Sequence, residues 1–167
     1  VSEADDLKRV GRAIEILAAK TGIYGMIGGQ TVDVELSGGP VPKNKLDFIY
    51  RLKTGALIEA SMLIGAVLGG AAEEDCKIVE SLAGKVGLAF QIQDDILDVT
   101  GDQKVLGKEA GSDEKNGKNT YVLFKGIEQS KKDAEQYTRE ALQIFDELEY
   151  KNPFLRELLL YLVGRKN

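Results

Sequence analysis

The sequence contains no histidine and only one cysteine, Cys76. The absence of histidine excludes the Ser-His-Asp and Cys-His nucleophile systems and removes the commonest general base. A single cysteine excludes an internal disulfide and a cysteine-based zinc site, and it is compatible with a reducing cytoplasm. These absences leave carboxylates, lysines, hydroxyls and amides as the candidate chemical groups.

An excess of basic residues and a long apolar run are also missing. The chain has 22 Lys and Arg against 27 Asp and Glu, a net charge of −5, which argues against a nucleic-acid binder. We expect no membrane span, because charges or glycines break the longest apolar runs, and no signal-peptide pattern opens the chain. The 167 residues, 43% hydrophobic and 29% charged, predict one soluble globular domain, located in the cytoplasm.

The alternating pattern of β-strands is absent, and apolar residues recur at helical spacing instead. The predicted helical segments are separated by loops that contain glycine or proline, and they cover residues 2–20, 23–36, 43–68, 73–99, 127–149 and a last helix from 153. Within the third segment, Lys53-Thr54-Gly55 predicts a kink or a local break. The predicted fold class is all-α, a bundle of helices.

Two local patterns give more detailed expectations. Gly25, Gly28 and Gly29 lie inside the second helical segment, and such glycines predict either close helix–helix contact, the preferred interpretation, or approach of the backbone to a ligand. Asn152-Pro153 predicts the start of the last helix, because proline is favoured at the first helical position. The predicted buried face of that helix comprises Phe154, Leu155, Leu158, Leu159 and Leu162.

The most informative stretch lies near the end of the fourth segment, where Gln91, Asp94, Asp95 and Asp98 follow one another. On a helix these residues occupy positions i, i+3, i+4 and i+7, which form one face. Aspartates without histidine or cysteine suit a hard cation, and Mg²⁺ typically takes one or two carboxylates together with substrate phosphates. An acidic helix face is commonly only a solvated surface, and this alternative stays open on the aspartates alone.

Lysines on either side of the aspartates favour the metal interpretation. Lys53 precedes them, and Lys108 and Lys118 follow them, each of the latter two directly after a glycine. Lysines that bind phosphate oxygens and aspartates that bind a metal are the two components of a metal–diphosphate site. Residues 100–119, rich in glycine and charge, predict a loop of the kind that often acts as a lid or binding loop.

Taken in order, these motifs resemble the C-terminal half of the all-trans polyprenyl diphosphate synthases, the family of farnesyl and geranylgeranyl diphosphate synthases. The resemblance covers essentially all of the chain, and it rests on an ordered set of segments: Gly25 to Gln30, Lys53-Thr54-Gly55, Gly87 to Asp98, and Gly107-Lys108 through Asp113 to Gly117-Lys118. It implies that residues 1–167 are the C-terminal portion of a single polyprenyl synthase domain.

The resemblance implies a bundle of long helices around a deep cavity, usually in a homodimer, that condenses an allylic diphosphate with isopentenyl diphosphate. Mg²⁺ is the implied cofactor, and Asp94, Asp95, Asp98 and Asp113 are the implied metal-site residues, Asp94 being the principal ligand. Lys53, Lys108 and Lys118 are implied to bind diphosphate. Lys53, Thr54 and Gln91 are implied to act at the reacting centre.

The chain departs from the family pattern, because the first aspartate-rich motif and the arginines that bind isopentenyl diphosphate are absent. We therefore expect either the C-terminal portion of a longer synthase or a natural half-synthase, and we expect the isolated chain to have no prenyltransferase activity. The residues that set product length lie beside the missing motif, so the sequence does not predict product length. The alternative function is a non-catalytic subunit or interaction module on the same fold; the retained aspartates and lysines favour the enzyme.

Overall fold

The computed structural model describes residues 3–39, 41–100, 120–149 and 151–164. Every regular element in these ranges is a helix, which confirms the all-α prediction. In chain order they are α1 (Glu3–Thr21), α2 (Met26–Glu35), α3 (Lys43–Ile49), a π-helical segment (Tyr50–Gly55), α4 (Ala56–Gly69), α5 (Glu73–Thr100), α6 (Tyr121–Lys125), α7 (Ile127–Glu147) and α8 (Pro153–Gly164).

Helix α5 is the central element of the bundle. It packs against α4, α6, α7, α8 and the π-helical segment. Its buried side chains repeat every three or four residues, from Val79 through Leu82 and Val86 to Ile92 and Ile96. Burying this stripe is what holds the surrounding helices against α5.

The break predicted at Lys53-Thr54-Gly55 is confirmed, and it takes the form of a π-helical segment that begins three residues earlier, at Tyr50. A π-turn widens the helix and changes the direction in which the following side chains point, and such turns are frequent at functional sites. The segment joins α3 to α4 without leaving the helical path. The side chains of Lys53 and Thr54 therefore point in a different direction from the one that a continuous α-helix would give them.

Two glycines allow other helices to approach the π-helical segment at backbone distance. A Cβ atom on Gly29 of α2 would lie 2.4 Å from the Lys53 backbone nitrogen, and one on Gly87 of α5 would lie 2.9 Å from Gly55 Cα. Both distances are shorter than van der Waals contact. The close packing predicted for the glycines of the second segment is thus confirmed at Gly29.

Helix α8 corrects one prediction. Asn152 Oδ1 accepts a hydrogen bond from the Leu155 backbone nitrogen at 3.2 Å, so the predicted start of the helix is confirmed. Of the predicted buried face, however, Leu159 is buried, whereas Phe154 is 71% exposed and Leu158 is also exposed. The prediction was wrong for these two residues; among the described residues, α8 packs chiefly against α5 and α7, and these two side chains remain exposed.

A second correction concerns the expectation that no run could cross a membrane. The continuous helical stretch Lys43–Gly69, which contains the π-helical segment, is long and apolar enough by length and composition to do so. Core helices of globular proteins meet the same criterion. Here the stretch packs against α1, α2 and α5, and it carries Lys53 in an ion pair with Asp33.

Candidate functional site

The structure brings the Lys-Thr-Gly segment against the aspartate-bearing end of α5. Thr54 Oγ1 lies 2.8 Å from Gln91 Oε1 and donates a hydrogen bond to it. The two residues are 37 positions apart in the sequence and both are partly buried. Two of the three predicted catalytic residues therefore meet in one place.

The third predicted catalytic residue, Lys53, is held by α2. Its ammonium group lies 2.6 Å from Asp33 Oδ2, and the two side chains remain 37% and 29% exposed. An ion pair that is exposed to this degree leaves the lysine accessible to an anion. Asp33 therefore positions the charge of Lys53.

The three aspartates of α5 lie in different environments. Asp94 is exposed, whereas Asp95 and Asp98 are 3% and 2% exposed. The helical spacing predicted one common face for all three, but this part of α5 buries Asp95 and Asp98 among neighbouring elements. Among them, Asp94 is the one whose side chain is open to solvent.

Asp95 is the centre of a buried hydrogen-bond network. Its Oδ2 accepts a hydrogen bond from the Tyr50 hydroxyl and another, at 2.6 Å, from the Tyr121 backbone nitrogen, which also donates to the Tyr50 hydroxyl oxygen at 3.0 Å. Gln91 Nε2 lies 3.5 Å from Asp95 Oδ1. Burial raises the pKa of Asp95 to about 6, while the hydrogen bonds from Tyr50, Tyr121 and Gln91 act in the opposite direction.

Sequence reasoning missed Tyr50 and Tyr121 as members of this network. The Tyr50 ring stacks on the Tyr121 ring, with ring centroids 6.5 Å apart. A signal was nevertheless present, because Tyr50 and Thr54 are four residues apart, as are Gln91 and Asp95. Because the two residues of each pair are equally far apart on neighbouring helices, each residue of one pair can contact one residue of the other pair.

Three of the predicted site residues, Lys108, Asp113 and Lys118, lie outside the described residues. Among the described residues, no group of three or more His, Cys, Asp or Glu side chains is placed to hold a metal ion. The donor chemistry nevertheless fits Mg²⁺, which commonly binds one or two protein carboxylates and takes its remaining oxygens from water and substrate phosphates. Asp94 is the exposed carboxylate that matches this requirement.

Two farnesyl diphosphate synthases are similar to most of this chain. Farnesyl diphosphate synthase of Escherichia coli is 42% identical over 147 residues, which are 87% of this chain and 49% of that protein. Farnesyl diphosphate synthase of Bacillus subtilis is 32% identical over 165 residues, which are 99% of this chain and 56% of that protein. The chain thus spans about half the length of these relatives.

The fold is shared with a solved enzyme structure. A geranyltransferase from Helicobacter pylori, crystallised with magnesium and isoprenyl diphosphate, superposes with a TM-score of 0.79 at 36% identity, covering 94% of this chain and 52% of that one. The sequence pattern that defines the family described as polyprenyl synthetase matches residues 3–154. On this match, the chain belongs to the polyprenyl synthetase family.

Proposed function

We propose that the protein is a prenyltransferase that condenses an allylic diphosphate with isopentenyl diphosphate to give a longer trans-polyprenyl diphosphate. The observation that carries the proposal is the Thr54–Gln91 hydrogen bond at 2.8 Å. It joins the lysine-bearing π-helical segment to the aspartate-bearing end of α5. The lysine proposed to bind the diphosphate and the carboxylate proposed to bind the metal therefore lie on two helical elements that contact each other.

In this proposal, Lys53 and Asp94 neutralise the charge that develops on the departing diphosphate. Lys53 does so by a charge-assisted hydrogen bond to a phosphate oxygen, and Asp94 does so by holding the cation that the diphosphate needs. We propose that Asp98 supports Asp94, and that Lys108, Lys118 and Asp113 complete the diphosphate and metal site. Bound Mg²⁺ would act as a Lewis acid toward the phosphate oxygens.

Thr54 and Gln91 would act on the allylic cation that remains after the diphosphate has left. Their side-chain oxygens are hydrogen-bonded to each other, so a partial negative charge is fixed at the reacting centre. Ile92 and Ile96, which follow Gln91 on α5, are buried in the apolar core of the bundle. With no histidine in the chain, the released diphosphate is the proposed proton acceptor.

The test uses the protein expressed from its complete reading frame, incubated with Mg²⁺, geranyl diphosphate and labelled isopentenyl diphosphate. Formation of a longer prenyl diphosphate that chelation of Mg²⁺ abolishes is the expected result. Lys53→Ala should lower kcat/KM by roughly ten- to a hundred-fold, since a hydrogen bond to a charged group contributes about 1.5–3 kcal/mol. Lys45→Ala, which removes an exposed lysine of α3, is the matched control and should retain activity. No product from the wild-type protein would refute the function.

The 167-residue chain by itself is expected to give no product under these conditions. It spans about half the length of its relatives, and nothing in it matches the isopentenyl diphosphate site implied by the resemblance. Clear turnover by this chain alone would contradict that expectation. It would also show that a complete site can form from these residues.

We also propose that the protein is a cytoplasmic homodimer. Helix α1 exposes an apolar row of Leu7, Val10, Ile14 and Leu17, each at least 45% exposed. Exposed apolar patches of several hundred Å² usually mark an interaction surface, and a second copy of the chain is the proposed occupant. A sedimentation experiment should show a dimer that Leu7→Glu with Ile14→Glu dissociates; a sharply monomeric wild-type protein would overturn the proposal.

A further inference from the structure

Two hydrogen-bonded side-chain pairs connect the π-helical segment to α5. Tyr50 contacts Asp95, and Thr54 contacts Gln91 at 2.8 Å. On each helical element the two contacting residues are four positions apart. Their order along the chain is reversed on α5, as antiparallel helices require. The Tyr50–Asp95 contact therefore fixes the register and rotation of the two helical elements at which the Thr54–Gln91 hydrogen bond can form.

Both oxygens of the Asp95 carboxylate face hydrogen-bond donors of the protein. Its Oδ2 accepts from the Tyr50 hydroxyl and from the Tyr121 backbone nitrogen at 2.6 Å, and its Oδ1 faces the Gln91 amide at 3.5 Å. Its residue is 3% exposed. A carboxylate that is buried and satisfied in this way is poorly placed to exchange its partners for a hydrated metal ion.

We propose that Tyr50 is a positioning residue for the site, acting through Asp95, and that Asp95 holds protein groups in place and does not ligate the metal. We name Tyr50, Asp95 and the Tyr121 amide the buried bracket. The proposal rests on the proposed function. It replaces the metal role that the family resemblance implied for Asp95, and it leaves that role with Asp94.

The buried bracket reaches the reacting centre through Gln91. The Asp95 carboxylate attracts the Gln91 amide nitrogen, which turns the amide oxygen toward the Thr54 hydroxyl. The same bracket ties the first residue of α6 to α5 and to the π-helical segment. Without the Tyr50 hydroxyl, Asp95 would lose one hydrogen-bond donor and the Tyr121 nitrogen would lose one hydrogen-bond acceptor. Gln91 and the end of α5 would then lose their fixed orientation.

The test is Tyr50→Phe in the protein expressed from its complete reading frame, because this change removes the hydroxyl and keeps the ring. We expect kcat to fall by at least tenfold, since small displacements of reacting groups are costly, while KM for both diphosphates stays within twofold because Lys53 is untouched. Tyr137→Phe is the matched control on α7. Val79→Ala controls for a general loss of stability, because Val79 is buried in α5 within a different apolar cluster from the one that contains Tyr50.

A double variant tests whether Tyr50 acts through Asp95. If it does, adding Tyr50→Phe to Asp95→Asn should cost little further rate, whereas independent roles would give multiplied losses. The proposal is overturned by a kcat for Tyr50→Phe within twofold of the Tyr137→Phe value, by an equal loss in Val79→Ala, or by full multiplication in the double variant.

A readout without substrate separates this inference from the proposed function. The Tyr121 amide proton should exchange with solvent at least tenfold faster in Tyr50→Phe and in Asp95→Asn than in Tyr137→Phe. If the wild-type protein forms no prenyl product, the function fails, and the positioning role for that reaction fails with it. The exchange result then decides the bracket alone, and unchanged exchange in both variants overturns it.

Discussion

Gly29→Ala tests how closely α2 packs on the segment that carries Lys53. A Cβ atom on Gly29 would lie 2.4 Å from the Lys53 nitrogen and 2.9 Å from both the carbonyl carbon and the Cβ of Leu52. Because ordinary contact begins near 3.5 Å, α2 and the π-helical segment would have to separate by about 1 Å. Two of these three atoms belong to the backbone, so no rotamer change can relieve the overlap.

The expected loss of stability follows from two opposing terms. Overpacking costs about 1–3 kcal/mol, and replacing a helical glycine by alanine returns about 1 kcal/mol. We expect a net loss of up to about 2 kcal/mol, measured by urea unfolding followed by circular dichroism. Because Lys53 would be displaced, the proposed prenyltransferase kcat should also fall in the protein expressed from its complete reading frame, by up to about a hundredfold for a shift of about 1 Å.

Gly65→Ala in α4 is the matched control. A Cβ atom at Gly65 meets no heavy atom within 4 Å. That variant should therefore gain up to about 1 kcal/mol from helix propensity alone and should retain activity. A Gly29→Ala protein as stable and as active as the Gly65→Ala protein would show that α2 does not pack this closely on the π-helical segment.

Two further variants test the helical frame by urea unfolding. Glu140 pairs with Lys85 at 2.6 Å, and hydrogen bonds from Lys85 and Gln136 lower its pKa. A lowered folded-state pKa stabilises the protein above the unfolded value of 4.5, and this contribution is lost as pH falls through the folded value. Glu140→Gln should therefore cost up to about 1 kcal/mol at pH 7 and progressively less as the pH falls below 4.5; an equal cost at pH 7 and at low pH would exclude the ion pair as its cause. Asn152→Ala should cost about 1 kcal/mol by removing the cap of α8, and an unchanged unfolding midpoint would contradict that role.

The helices and their breaks could be predicted from the sequence because their signals are local. The fourth helical segment was predicted over residues 73–99, and α5 spans Glu73–Thr100. The break at Lys53-Thr54-Gly55 was predicted from the Thr-Gly pair and is present as a π-helical segment. Apolar spacing, glycine and proline each act within a few residues, so one chain suffices to find them.

The environment of each aspartate could not be predicted in the same way. Spacing places Asp94, Asp95 and Asp98 on one side of a helix, but burial depends on which other elements that side meets. Asp95 is buried because Tyr50 and the Tyr121 nitrogen converge on it from positions 45 and 26 residues away. The exposed Phe154 of α8 has the same explanation, since an apolar face is buried only where a partner helix covers it.

The most direct test of the central claim is the Mg²⁺ dependence of Asp94→Asn, measured by steady-state kinetics in the protein expressed from its complete reading frame. The substitution keeps the size of the side chain and removes the charge proposed to hold Mg²⁺ against the diphosphate. We expect a large fall in kcat together with a requirement for higher Mg²⁺ concentration, because diphosphate departure is part of the chemical step. A variant with near-normal kcat and an unchanged Mg²⁺ dependence would contradict the role given to this aspartate.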